Sequence, residues 1–137
     1  PSCIVSMVPV WLLKPVSIVP SGLYTEPESA SVGLTETQGR EKGLQIRVGR
    51  YDMKGNGQQI ISRETGGFIK VIFAANSDVL LGAQIMCARA TDMIGELATA
   101  LANGLTSTQL MYAMRAHPTF NEAISCAVEN SRDNIKE

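Results

Sequence analysis

The spacing of apolar residues along this chain changes near residue 86, from a period of two to a period near four. Upstream, Leu44, Ile46 and Val48 alternate with Gln45, Arg47 and Gly49 over Leu44–Tyr51, the pattern of a half-buried strand. Phe68–Phe73 and Val79–Met86 are β-rich runs joined by Ala74-Ala75-Asn76-Ser77-Asp78, which predicts an antiparallel hairpin. Shorter extended stretches lie at Val16–Val19, Leu23-Tyr24-Thr25 and Ala30–Gly33, with Glu26-Pro27-Glu28 as a break. Thr35-x-x-Gln38 is a capping box, and with Gly43 at the C′ position it predicts a short polar helix over Thr35–Lys42. Lys54-Gly55-Asn56-Gly57 predicts a loop.

Downstream the helical period takes over. Thr91 is expected to cap a helix with Ile94, Leu97, Ala98 and Leu101 on one face, ending at Asn103-Gly104. Thr106-x-x-Gln109 opens a second helix, with Leu110, Ala113 and Met114 on one side, expected to run until Pro118. The last helix starts at Thr119 and aligns Ala123, Ile124, Ala127 and Val128, leaving Asn130–Glu137 as a polar, fraying tail. Strands first and helices after predict an α+β domain, an antiparallel sheet with helices packed on it. The expected division is an N-terminal segment 1–15, a domain 16–130 and a polar tail 131–137.

Composition narrows the classes. The 137 residues suit one domain with a real core, and 45% hydrophobic against 18% charged residues describes a globular chain. A net charge of −1, from 12 basic and 13 acidic residues without a long basic run, argues against a nucleic-acid partner. Cys3, Cys87 and Cys126 form no Cys-x-x-Cys pair, zinc spacing or disulfide framework, so a reducing, cytoplasmic setting is expected. Met86, Met93, Met111 and Met114 read as core filler rather than as a metal-ligand set. Gly-x-Gly-x-x-Gly is absent, and Gly55-x-Gly57 sits in a predicted loop.

Pro1–Pro15 is apolar but broken by Pro9, too short for a membrane span and without the basic start of a signal peptide. It reads as an artificial or fragmentary start, or as a strand that once had a covering neighbour. Trp11, Leu12 and Leu13 would favour association if left unburied, a first sign that something belongs upstream.

The chemistry concentrates at His117-Pro118-Thr119-Phe120-Asn121-Glu122, which contains the only histidine. Histidine is the side chain that exchanges protons most readily near neutral pH. Pro118 disfavours a helical His117, and Thr119 can cap the next helix with Glu122 at its third position. Imidazole and carboxylate are then close enough to face each other, and a carboxylate on one ring nitrogen prepares the other as a base. The same Thr-x-x-Glu spacing is also a plain capping box that needs no catalytic role. Spacing alone leaves both readings standing.

Four separated motifs resemble one family. Tyr24-Thr25-Glu26-Pro27-Glu28 with Ala30–Glu36 resembles the opening of the C-terminal dimerisation domain of flavin-dependent pyridine nucleotide-disulfide oxidoreductases. Gly67–Ile72 and Leu80–Ile85 are similar to that domain's central hairpin, and Ala116–Ala123 to its active-site motif. The resemblance runs from about Val16 to Val128 and is strongest to the dihydrolipoamide dehydrogenases.

The resemblance implies an acid/base role for His117, oriented by Glu122, in thiol–disulfide chemistry. It implies a cis His117-Pro118 peptide, with both residues near the FAD of the partner subunit. It implies a homodimer, upstream FAD- and NAD-binding domains of the same polypeptide, and a lipoyl-bearing protein as substrate. Those fingerprints and the redox cysteine pair are missing here, so the chain is expected to be a fragment inactive alone, binding no cofactor or metal by itself. Alternatives are a free-standing dimerisation or scaffold module, or the same domain of another disulfide reductase such as glutathione reductase. Cys126 is expected to be a structural thiol facing inward from the last helix.

Overall fold

The computed structural model describes residues 18–134. The expectations for segment 1–15, for Cys3, for Val16 and Ser17, and for the last three residues lie outside the described residues. Five strands form one antiparallel sheet: β1 (Ser21–Leu23), β2 (Ser29–Gly33), β3 (Ile46–Asp52), β4 (Phe68–Ala74) and β5 (Leu80–Met86), in the order β1-β2-β5-β4-β3. Helix α1 (Glu36–Glu41) follows β2, and α2 (Gly57–Ser62) follows β3 after a short 3-10 turn at Met53–Gly55. Then come α3 (Ala90–Ala102), α4 (Ser107–Tyr112) and α5 (Glu122–Asp133). The expected α+β architecture is present: α3 packs on β2 and β5, and α5 on β3 and β4.

The hairpin register explains the core. Ile69 pairs with Ile85 and Val71 with Ala83, and Ala30 and Val32 of β2 pair with the same two β5 residues. Because side chains alternate across a sheet, these residues line one face. That face is buried against Ile94 and Leu97 of α3 and Ala123, Ile124, Ala127 and Val128 of α5. The register slips between Ile72 and Phe73, so Phe73 lies opposite Leu80 and Leu81 is left out of the pairing.

Strand β3 alternates as expected, but the opposite row meets the helices. Arg47, Gly49 and Tyr51 lie opposite Phe73, Val71 and Ile69, which places them on the helix face. Gly49 is buried because α5 crosses directly over it: a Cβ there would fall 2.0 Å from the carbonyl oxygen of Ala127 and 2.6 Å from the Ser131 Cβ. Only glycine permits that approach. Arg47 lies over the Phe73 ring at 5.7 Å and pairs with Asp78. Ile46 and Val48 occupy the other face, where Ile46 meets Gly39 of α1 and Lys70 reaches Glu36 at 3.2 Å.

Other differences have identifiable causes. Thr35 and Thr106 form the two expected capping boxes. Thr91 does not cap α3. The helix begins after Arg89, which is left-handed and makes no side-chain cap bond. Thr91 instead donates its amide (2.9 Å) and hydroxyl (2.6 Å) to Glu28 Oε2, so a carboxylate from the β2 end serves the helix start. The predicted loop at 54–57 gives way to α2, capped by the Asn56 side chain, which accepts from the Gln59 amide at 3.0 Å.

Helix α4 stops at Tyr112 rather than at Pro118, with Ala113 extended and Met114 98% exposed. At this stop the Arg115 guanidinium donates to the carbonyls of Leu110 and Ala113, satisfying the helix end. Met114 and Met86 are surface residues rather than core filler, whereas Met93 and Met53 are buried. Helix α5 continues to Asp133, with Ser131 fully buried and the Asn134 side chain donating to the Val48 carbonyl at 3.1 Å. Asn130, Ser131 and Asn134 thus contact β3, while Arg132 and Asp133 face solvent. Among the described residues no helix is long and apolar enough to cross a membrane.

Candidate functional site

The loop between α4 and α5 presents His117. Its Nδ1 lies 2.7 Å from Glu122 Oε2; the imidazole is 78% exposed and the carboxylate 24%. Glu122 is the first residue of α5, where the helix dipole favours an anion. The His117-Pro118 peptide is cis, as is Glu26-Pro27.

The two sequence readings of this motif meet in one geometry. The Thr119 hydroxyl accepts from the Glu122 amide at 3.3 Å and donates to the Ala116 carbonyl at 2.7 Å. That is half of the expected capping box. The reciprocal half is missing because the Glu122 carboxylate bonds the imidazole instead. The helix also starts three residues later than expected, with Asn121 as its N-cap and without a bond from the Asn121 side chain to the helix.

Several residues that hold this loop were not singled out in the sequence. Asn56, buried to 2% exposure, donates Nδ2 to the Thr119 carbonyl at 3.0 Å. Glu96 of α3 accepts from Arg115 Nε (3.0 Å) and Nη2 on Oε1, and from Asn121 Nδ2 (3.2 Å) on Oε2. Arg115 also donates Nη1 to Ser125 Oγ at 2.6 Å. These partners lie 10 to 63 residues apart, so no local pattern announces them.

A cleft of about 590 Å³ lies behind the loop, between Pro118–Asn121, Gln58 and Ser62 of α2, and Arg89. His117 and Glu122 do not line it, so the pair faces a different surface. Pro118 is exposed beside the imidazole.

The two cysteines among the described residues fit structural roles. Cys87 is fully buried and its Sγ–H points at Met93 Sδ, 3.9 Å away; burial pushes its thiol up to about 12. Cys126 is half-buried, and burial followed by the charges of Glu129 and Glu122 raises its thiol. A thiol held protonated is a poor nucleophile. Burial, followed by the charges of Cys126 and Glu122, also raises the Tyr51 phenol. Among the described residues no group of three or more His, Cys, Asp or Glu side chains could hold a metal.

Comparison with known proteins identifies the family of the chain. Residues 19–128 match the profile of the pyridine nucleotide-disulphide oxidoreductase dimerisation domain. The chain is 40% identical over 111 residues to a dihydrolipoyl dehydrogenase of Bacillus subtilis, covering 81% of this chain and 24% of that protein. It is 35% identical over 113 residues to that of Staphylococcus aureus, covering 82% and 24%. The chain thus spans about a quarter of the length of these relatives. Among solved structures, LpdA from Mycobacterium tuberculosis superposes with a TM-score of 0.80 at 21% identity, covering 88% of this chain and 26% of that one. The HOCl-induced flavoprotein disulfide reductase RclA from Escherichia coli gives 0.78 at 26% identity, covering 81% and 26%.

Proposed function

The chain belongs to the pyridine nucleotide-disulphide oxidoreductase dimerisation-domain family, and from that premise we propose that it is the C-terminal part of a dihydrolipoyl dehydrogenase. In this reading it supplies the two-fold interface, and its His117–Glu122 pair serves the active site of the partner subunit. The observation that carries the reading is the 2.7 Å contact between His117 Nδ1 and Glu122 beneath an exposed imidazole.

The chemistry follows from that contact. Glu122 holds the proton on Nδ1 and leaves Nε2 as the basic nitrogen at the surface. A dihydrolipoyl thiol, mostly protonated at neutral pH, gives its proton to Nε2 as it attacks a disulfide on the partner subunit. The imidazolium so formed is stabilised by Glu122 and returns the proton later in the cycle. Upstream domains of the same polypeptide would hold FAD and NAD, which would supply the two-electron acceptor for closure of the dithiol to a disulfide. His117 and Pro118 are suited to touch that flavin from outside, and the described residues do not enclose one. In this reading the isolated chain is inactive, and the assembled enzyme is a cytoplasmic homodimer acting on a lipoyl-bearing protein.

Exposed apolar side chains support a covering copy: Tyr24 is 85% exposed, Ile60 65%, Ile61 66% and Tyr112 79%. Sedimentation of the chain should give a colourless dimer without diaphorase activity, and a strict monomer at high concentration counts against the interface. In the full-length enzyme, His117→Gln should slow dihydrolipoyl oxidation by roughly 100-fold or more, and Glu122→Gln by roughly tenfold. FAD content and electron flow from NADH to an artificial acceptor should persist. Near-normal dithiol turnover in both variants would overturn the acid/base role.

A further inference from the structure

The imidazole of His117 is 78% exposed, so little packing holds it in place. Its position depends on the backbone of the loop from Arg115 to Asn121. Both ends of that loop rest on one carboxylate. Glu96 Oε1 takes the Arg115 guanidinium at the entrance, and Oε2 takes the Asn121 amide at the exit, 3.2 Å away. Helix α3, which carries Glu96, is anchored on the sheet through fully buried Leu97 and nearly buried Ile94 and Ala100. The Arg115 side chain is only 6% exposed and the Glu96 side chain 31%, so the entrance contact is shielded from water and weakly screened.

We propose that Glu96 is a positioning residue for His117: by tying both loop ends to the rigid helix α3, its carboxylate sets the distance at which the imidazole meets Glu122. This rests on the acid/base reading of His117 for its catalytic consequence, but not for its structural one. Arg115 leads into the loop two residues before His117, and Asn121 immediately precedes Glu122. A shift of either end changes the imidazole–carboxylate separation directly. With both ends fixed, the residues between them have few arrangements left, and the Asn56 bond to the Thr119 carbonyl at 3.0 Å removes more. A loose loop would sample many orientations of the ring, and a displacement of about 1 Å is enough to cost a large factor in rate.

Two substitutions test this. Glu96→Gln turns one oxygen into an amide donor, so either Arg115 or Asn121 faces a donor instead of an acceptor. Asn121→Ala removes only the exit tie and leaves the Arg115–Glu96 pair intact. His117 is the sole imidazole of the chain, so its ring nitrogen chemical shifts report the Nδ1–Glu122 bond without ambiguity. Both variants should move these shifts away from the carboxylate-bonded Nδ1–H form while the amide spectrum stays dispersed. In the full-length enzyme, kcat for dihydrolipoyl oxidation should fall about tenfold, with KM within about twofold and NADH-to-artificial-acceptor flux unchanged. Unchanged imidazole shifts in both variants would overturn the proposal. Should Glu96→Gln lose its dispersed amide spectrum, Asn121→Ala decides alone. If His117→Gln retains full activity, the acid/base reading fails, and the imidazole shifts still decide the role of Glu96.

Discussion

Gly49→Ala tests the link between sheet and site most directly. The substitution adds one methyl group where α5 crosses β3, 2.0 Å from the Ala127 carbonyl oxygen, 2.6 Å from the Ser131 Cβ and 2.8 Å from the Ser131 amide nitrogen. Two of these three atoms are backbone, so a side-chain rotation cannot relieve the overlap. Helix α5 has to move off the sheet by roughly 1 Å or more, with the cost of overpacking, about 1–3 kcal/mol. Alanine also restricts the unfolded chain, a gain of about 0.4–1 kcal/mol. Overlap outweighs that gain, for a net loss of about 1–2 kcal/mol and a fall in Tm of roughly 4–8 °C for a chain of this size. Gly95→Ala supplies the control. Gly95 lies within α3, where an added Cβ meets nothing within 4 Å, so the same substitution there should stabilise by about 0.5–1 kcal/mol. Thermal and urea unfolding followed by circular dichroism measure both. A Gly49→Ala chain melting within about 1 °C of the parent would refute the close approach of α5 to β3. Because α5 begins at Glu122, the same variant should also disturb the His117 ring nitrogen shifts.

Three further outcomes follow from the described side chains. In a Cys3→Ser, Cys126→Ser background at pH 8, Cys87 should resist a thiol reagent until the chain is denatured, since its thiol is pushed up to about 12 by burial; rapid reaction in the folded chain would contradict that burial. Acid should destabilise the fold through three carboxylates held below their ordinary values: Glu28 by the Thr91 hydroxyl and amide, Glu36 by Arg40 and Lys70, and Asp78, where burial raises the value but Ser107, Arg47 and the Thr108 amide together outweigh it. Such groups bind fewer protons folded than unfolded. Their contribution is therefore present above about pH 4.5 and is lost as pH falls through the lower folded values. Glu28→Gln should flatten part of that slope in urea melts taken between pH 2 and 6, and an unchanged slope would count against the Glu28–Thr91 bond. Thr106→Ala removes the hydroxyl that accepts from the Gln109 amide at 3.2 Å and should cost about 1 kcal/mol, read as a shift in the urea midpoint.

Much of the site was legible because its parts are sequence neighbours. His117 and Glu122 are five residues apart, and a cap followed by a helix start leaves few ways to keep them from meeting. Family resemblance then implied an acid/base role that spacing alone left open. The capping boxes at Thr35 and Thr106 and the Phe68–Met86 hairpin were legible for the same reason, since each is decided within about 20 residues. Glu96 was not legible. Its partners Arg115 and Asn121 lie 19 and 25 residues away, and nothing in a helical heptad distinguishes a carboxylate that clamps a loop from one that faces water.

The sequence by itself determined most of the strands and helices, though not α2 or the end of α4, that the domain is α+β, and that the lone histidine has a carboxylate within reach. Tertiary structure decided which row of β3 meets the core, because the close crossing of α5 over Gly49 outweighs the apolar pull of Ile46 and Val48. It also decided that Glu28 rather than Thr91 serves the start of α3, and that Arg115 satisfies the end of α4 before Pro118. Period and capping are local properties, legible over one or two turns. A charge finding its partner across the fold depends on where the sheet and helices come to rest.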